Sequence, residues 1–115
     1  MWIRKHGGPG VLEVRETEDP TPKAGEVRIA VKAAGLNFAE VSARQGIYPA
    51  APKPPCVVGY EGSGVVDAVG SGVPESRLGE RVWIWNGQWK RANGTAAEYV
   101  VVPSAQAVAL PDATG

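Results

Sequence analysis

Residues 26–33, Glu-Val-Arg-Ile-Ala-Val-Lys-Ala, constrain the fold more than any other stretch. Val27, Ile29, Val31 and Ala33 fall on one side of an extended chain, with Arg28 and Lys32 on the other. Strand side chains alternate between faces, so this period of two predicts a strand with one buried and one wetted face. Such a strand needs paired neighbours and a second layer over its apolar side. Residues 11–16, 62–70, 81–85, 98–102 and 107–110 also read as short strands between turn residues. Fifteen glycines and ten prolines punctuate these runs and do not gather into a linker. The prediction is a mainly β, partly open barrel with one or two short helices.

The best helix lies at 37–46. Asn37 is a suitable cap, Glu40 follows at capping-box spacing, and Gly46 closes the end. Phe38 and Val41 share a face, and Glu40 and Arg44 stand at ion-pair spacing. Two turns do not persist in isolation, so the helix relies on tertiary packing. Residues 48–55, with four prolines, read as a stiff loop. Gly62-Ser63-Gly64 begins like a dinucleotide fingerprint, but position 67 is Asp67 and strand-like Val65-Val66 follows. A phosphate loop needs strand, glycines and helix in that order, so these glycines read as a bend or bulge.

Twelve basic residues balance twelve acidic ones, which leaves no basic stripe for nucleic acid. No apolar run approaches the ~20 residues of a membrane span, and no apolar core follows the charges at the N-terminus. Cys56 is alone, so neither an internal disulfide nor a multi-cysteine zinc site is available. His6, the only histidine, reads as a solvated surface residue. These features predict a cytoplasmic protein without nucleic-acid or membrane partners.

Five motifs in order carry a resemblance. Residues 35–40 (GLNFAE), 44–49 (RQGIYP), 59–66 (GYEGSGVV), Val69-Gly70 and 79–82 (GERV) resemble the medium-chain dehydrogenase/reductase superfamily, on its quinone-oxidoreductase side. The resemblance implies a GroES-like barrel, the alcohol dehydrogenase-like N-terminal catalytic domain, over residues 1–115. Zinc alcohol dehydrogenases of this superfamily carry cysteine where this chain has Asn37, and histidine where it has Tyr60. An amide and a phenol are poor zinc donors, and the four cysteines of the structural zinc lobe are missing between Trp85 and Glu98. The resemblance therefore implies no zinc. It implies direct hydride transfer from NADPH to a quinone or enone, which accepts hydride without a metal because conjugation spreads the charge.

In zinc-free relatives the positions of Asn37 and Tyr48 line the cleft near nicotinamide and substrate. Asn37 is either a helix cap alone or also a cleft residue; Tyr48 is a cleft residue or a surface aromatic in a proline loop. Tyr60 either faces the cleft or fills the volume left by the absent metal. Glu61 matches a carboxylate that supports the cleft from behind, most simply as a buried partner of a nearby arginine. Trp83, Trp85 and Trp89 are packing aromatics, with Trp85 and Trp89 also candidates for an aromatic wall.

The superfamily's nucleotide-binding Rossmann domain and C-terminal returning segment are absent from these 115 residues. NADPH is then not bound by this chain alone, and the chain alone is inactive. Missing neighbours also predict self-association through Val100, Val102, Val108 and Leu110. Alternatives are an enoyl-reductase module, a vesicle-associated homologue with the same barrel, or a free-standing binding or assembly module.

Overall fold

A computed structural model describes residues 1–47, 53–88, 91 and 93–111. In chain order the elements are β1 (Trp2–Ile3), β2 (Leu12–Glu13), β3 (Glu26–Ala34), α1 (Phe38–Gln45), β4 (Cys56–Val57), β5 (Gly62–Val69), β6 (Arg81–Ile84), β7 (Tyr99–Pro103) and β8 (Ala107–Ala109). A five-stranded antiparallel sheet in the order β7-β3-β5-β6-β8 curls into a half barrel, and a small sheet β2-β1-β4 lies apart from it. The mainly β, GroES-like expectation holds, with α1 as the one α-helix among the described residues.

The alternation in β3 holds over its first half, whereas Val31 is only partly buried and Ala33, past the register slip, is exposed. Val27 and Ile29 are fully buried. They join Val66, Val82, Ile84, Val100, Val102 and Ala107 in the barrel core. Each such side chain contributes about 1.5–3 kcal/mol by leaving water. The outer face of β3 carries Arg28, whose Nε donates to Asp67 on β5 at 2.9 Å while its guanidinium lies 5.1 Å from the Tyr99 ring centroid. The β3–β5 register slips between Val31 and Ala33, opposite Gly64 and Ser63. A Cβ at Gly64 would fall 2.2 Å from the Ala30 carbonyl oxygen, so only glycine lets the strands meet there. The glycine string is thus a close approach inside a strand.

Several sequence expectations need correction. Val100 and Val102 cannot form an association patch, because β7 pairs with β3 and turns both into the core, at 2% and 0% exposure. Val108 and Leu110 are only partly exposed. The strand expected at 11–16 shortens to β2 behind a 3-10 turn over Pro9–Val11. The face shared by Phe38 and Val41 is not the buried one: Phe38 is 79% exposed, and α1 buries Glu40, Ser42 and Ala43. Arg44 donates its Nε to the Gly7 carbonyl at 3.1 Å instead of pairing with Glu40. Trp83 points outward from β6 because Val82 and Ile84 take the inner positions.

Glu26 ties the start of β3 to the segment before β7. Its carboxylate accepts the Lys23 backbone N–H at 2.9 Å and a guanidinium N–H of Arg91. Burial raises the Glu26 pKa, but these donors outweigh it and hold the carboxyl below the usual glutamate range. A depressed folded-state pKa gives stability that is complete above the unfolded value, about 4.3. That stability is lost as pH falls through the folded value. Glu26→Gln is therefore expected to flatten the acid side of the stability curve while changing its slope at neutral pH little. Urea midpoints measured from neutral pH into the acid range check this.

Candidate functional site

Three segments meet at one end of the barrel. The turn after β3 delivers Gly35 and Asn37, the chain between β4 and β5 delivers Gly59, Tyr60 and Glu61, and Gly87 and Thr95 brace residues 59–61. Asn37 caps α1 in an extended conformation, φ −120° and ψ 170°, and Gly46 closes the helix in the left-handed region. The Asn37-to-Glu40 spacing does what the sequence predicts, since the Glu40 carboxylate accepts the Asn37 backbone N–H at 2.8 Å. Its other oxygen accepts the Tyr60 backbone N–H at 3.1 Å. Glu40 is 4% exposed. One buried carboxylate thus sets the backbone of both Asn37 and Tyr60.

The Asn37 amide nitrogen donates to Glu61 Oε1 at 2.8 Å. The Glu61 partner is therefore an amide, not the arginine expected, and both residues are exposed. The Glu61 main chain is pinned: its carbonyl accepts the Gly35 N–H at 2.9 Å and the Thr95 hydroxyl at 2.8 Å. The Tyr60 carbonyl accepts the Gly87 N–H at 2.6 Å. Tyr60 itself is half-buried.

Two hollows adjoin this corner. One, of about 330 Å³, is lined by Ala33, Gly35, Glu61, Ser63 and Trp83 among others. The other, about 270 Å³ and largely apolar, lies against Leu12, Leu36, Glu40, Val41 and Val58. The aromatic beside Glu61 is Trp83, at 43% exposure; Trp85 is 42% exposed but does not line either hollow. Tyr48 and Trp89 lie outside the described residues.

The donor set bears on metals. No group of three or more His, Cys, Asp or Glu side chains able to hold a metal ion occurs among the described residues. Cys56 sits under β1 with Ile3 and Val11, and burial pushes its thiol pKa up, against a partial offset from Gln88. A protonated, buried thiol is a packing group, not a ligand or nucleophile. His6 packs over the end of α1, its ring Nδ1 3.1 Å from the Ala43 carbonyl oxygen. Gly62-Ser63-Gly64 are the opening residues of β5, so they form no phosphate loop.

Sequence reasoning singled out Asn37, Tyr60 and Glu61 but missed what holds them. Glu40 was legible only as half of a capping box; its second partner, Tyr60, comes from 20 residues away. Thr95, fully buried and 34 residues from Glu61, left no local signal.

The profile of the alcohol dehydrogenase GroES-like domain matches residues 23–112. The chain is 43% identical over 104 residues to the synaptic vesicle membrane protein VAT-1 homolog of Rattus norvegicus, covering 89% of this chain and 24% of that protein. It is 41% identical over 107 residues to a quinone oxidoreductase of Pseudomonas aeruginosa, covering 93% and 31%. Among solved structures, Escherichia coli quinone oxidoreductase complexed with NADPH superposes with a TM-score of 0.88 at 33% identity, over 99% of this chain and 33% of that one. The chain thus spans about a quarter to a third of the length of these relatives.

Proposed function

Because this chain belongs to the alcohol dehydrogenase GroES-like domain family, on its quinone-oxidoreductase side, we propose that it forms the catalytic-barrel wall of an NADPH-dependent reductase that transfers hydride to a quinone or enone without zinc. One observation carries this reading: an exposed amide, Asn37, donates to Glu61, which lines a hollow together with Trp83. A polar donor next to an aromatic wall suits a flat conjugated carbonyl compound.

NADPH, when bound, supplies a hydride. This chain's residues orient the acceptor. Trp83 and the small residues Ala33, Gly35 and Ser63 leave room for a planar ring. In this reading the Asn37 amide donates to the carbonyl oxygen on which charge collects, and a proton from solvent then completes the reduction. The one glycine between β3 and α1, Gly35, does not make a three-glycine dinucleotide fingerprint, and in this reading the nucleotide is held outside this chain. We place the protein in the cytoplasm; no helix among the described residues is long and apolar enough to cross a membrane.

The test is NADPH oxidation by the complete protein with a benzoquinone and with an α,β-unsaturated ketone, with zinc content measured on the same preparation. Turnover of at least one acceptor without stoichiometric zinc is expected. Turnover that requires zinc, or reacts only with alcohols, overturns the reading.

The identity to the VAT-1 homolog supports a second reading, in which the same barrel serves a vesicle-associated protein. It predicts sedimentation with vesicles and no turnover of either acceptor.

A further inference from the structure

We infer that Glu61 is the positioning residue for Asn37: by holding one N–H of the Asn37 amide, it leaves the second N–H as the donor that meets the substrate carbonyl. This rests on reading the cleft as a hydride-transfer site.

The chemistry of the pair fixes the amide's orientation. An ionised carboxylate has acceptors only, whereas an amide has a donor end and an acceptor end. At 2.8 Å from Glu61 Oε1, the facing end must be the nitrogen. The flipped amide would set its oxygen against a carboxylate oxygen. A carboxylate acceptor roughly doubles the strength of such a bond and polarises the amide, which strengthens the remaining N–H as a donor.

Glu61 is built to hold this position. Its carbonyl is gripped by the Gly35 N–H and the Thr95 hydroxyl, and its side chain lies against Gly35. A Cβ at residue 35 would fall 2.7 Å from both Glu61 Cγ and Oε1, so glycine there leaves room for the carboxylate. On the other side, the Asn37 backbone is fixed by Glu40. The backbones that carry both partners are thus anchored to the fold before any substrate arrives, and a donor oriented in advance costs less reorganisation when charge develops. The consequence is a specificity rule. A quinone or enone oxygen accepts only, and it meets a donor. An unpaired asparagine would offer either end.

The experiment uses the complete protein and three variants: Asn37→Ala, Glu61→Ala and Glu61→Gln, plus the double alanine variant. Asn37→Ala is expected to lower kcat/KM on the order of 10²-fold, as loss of one preorganised donor does. Glu61→Ala should lower it about 10-fold. Glu61→Gln, whose amide oxygen still accepts, should lose about 3-fold. The double variant should be no slower than Asn37→Ala. Independently of activity, side-chain amide NMR signals of Asn37, labelled with 15N-asparagine, should shift and exchange faster in Glu61→Ala than in Glu61→Gln, with the thermal midpoint unchanged. Turnover with Asn37 signals indifferent to Glu61, or additive rate losses in the double variant, overturns the positioning role. Shifted Asn37 signals without turnover of either acceptor show that the pair exists and that the cleft reading, with the substrate rule built on it, is wrong.

Discussion

Gly59→Ala is expected to destabilise the protein by about 3 kcal/mol or more and to abolish whatever the cleft does. Residue 59 has φ +118°, where an L side chain is strained at a cost of about 1–3 kcal/mol. The added Cβ would fall 2.3 Å from Thr95 Oγ1 and 3.0 Å from the backbone nitrogens of Thr95 and Ala96. Thr95 cannot retreat. It is fully buried, its hydroxyl holds the Glu61 carbonyl, and its N–H donates to the Gly59 carbonyl at 3.1 Å. Overpacking of this kind adds about 1–3 kcal/mol. Relief requires residues 59–61 to move, which displaces Tyr60 and Glu61 together. Gly72→Ala is the control, since Gly72 also has positive φ, +83°, but nothing within 4 Å of the added carbon. It should cost only about 1–2 kcal/mol. Urea unfolding followed by tryptophan fluorescence measures both, and equal losses would show that the contact with Thr95 does not matter.

The second large effect is expected at Glu40. Glu40→Ala removes the acceptor for two backbone donors, the N–H groups of Asn37 and Tyr60. Leaving a donor unsatisfied costs about 1–3 kcal/mol each, so a loss of about 2–4 kcal/mol is expected, with partial access of water as the mitigating factor. Glu40→Gln keeps one acceptor but turns an NH₂ group toward the other N–H, and should cost about 1–2 kcal/mol. Both variants loosen the start of α1, so the Asn37-to-Glu61 bond weakens as a secondary effect. Hydrogen exchange at the Asn37 and Tyr60 amides reads the mechanism directly. Faster exchange at both, beyond the global change, is the expected result. A helix-surface glutamate would give neither effect.

Much of this fold is written locally. The period of two in β3 gives its buried face. The Asn37, Glu40 and Gly46 spacing gives α1 with its ends correct to within a residue. Strands β5 and β6 fall where short apolar runs lie between turn residues. These features depend on neighbours along the chain, and local sequence carries them. The association patch failed for a different reason. Val100 and Val102 have the composition of an exposed strand end or of a core strand equally, and only pairing of β7 with β3 turns them inward. The tryptophans behaved alike: Trp83 and Trp85 look like core residues by type, but Val82 and Ile84 occupy the inner register of β6.

The candidate site divides along the same line. By itself the sequence determined that positions 37 and 60 carry an amide and a phenol within motifs that resemble the family's. Residue identity at a motif position needs no coordinates. What only the tertiary structure decided is how those residues are held. Glu40 joins Asn37 to Tyr60, Glu61 takes the Asn37 amide from 24 positions away, and Thr95 pins Glu61 from 34. Each of these bonds closes a long loop, and its geometry exists only once the barrel has brought the three segments together. A hydrogen bond is sensitive to tenths of an ångström and tens of degrees, and sequence spacing sets neither for residues that meet across a fold.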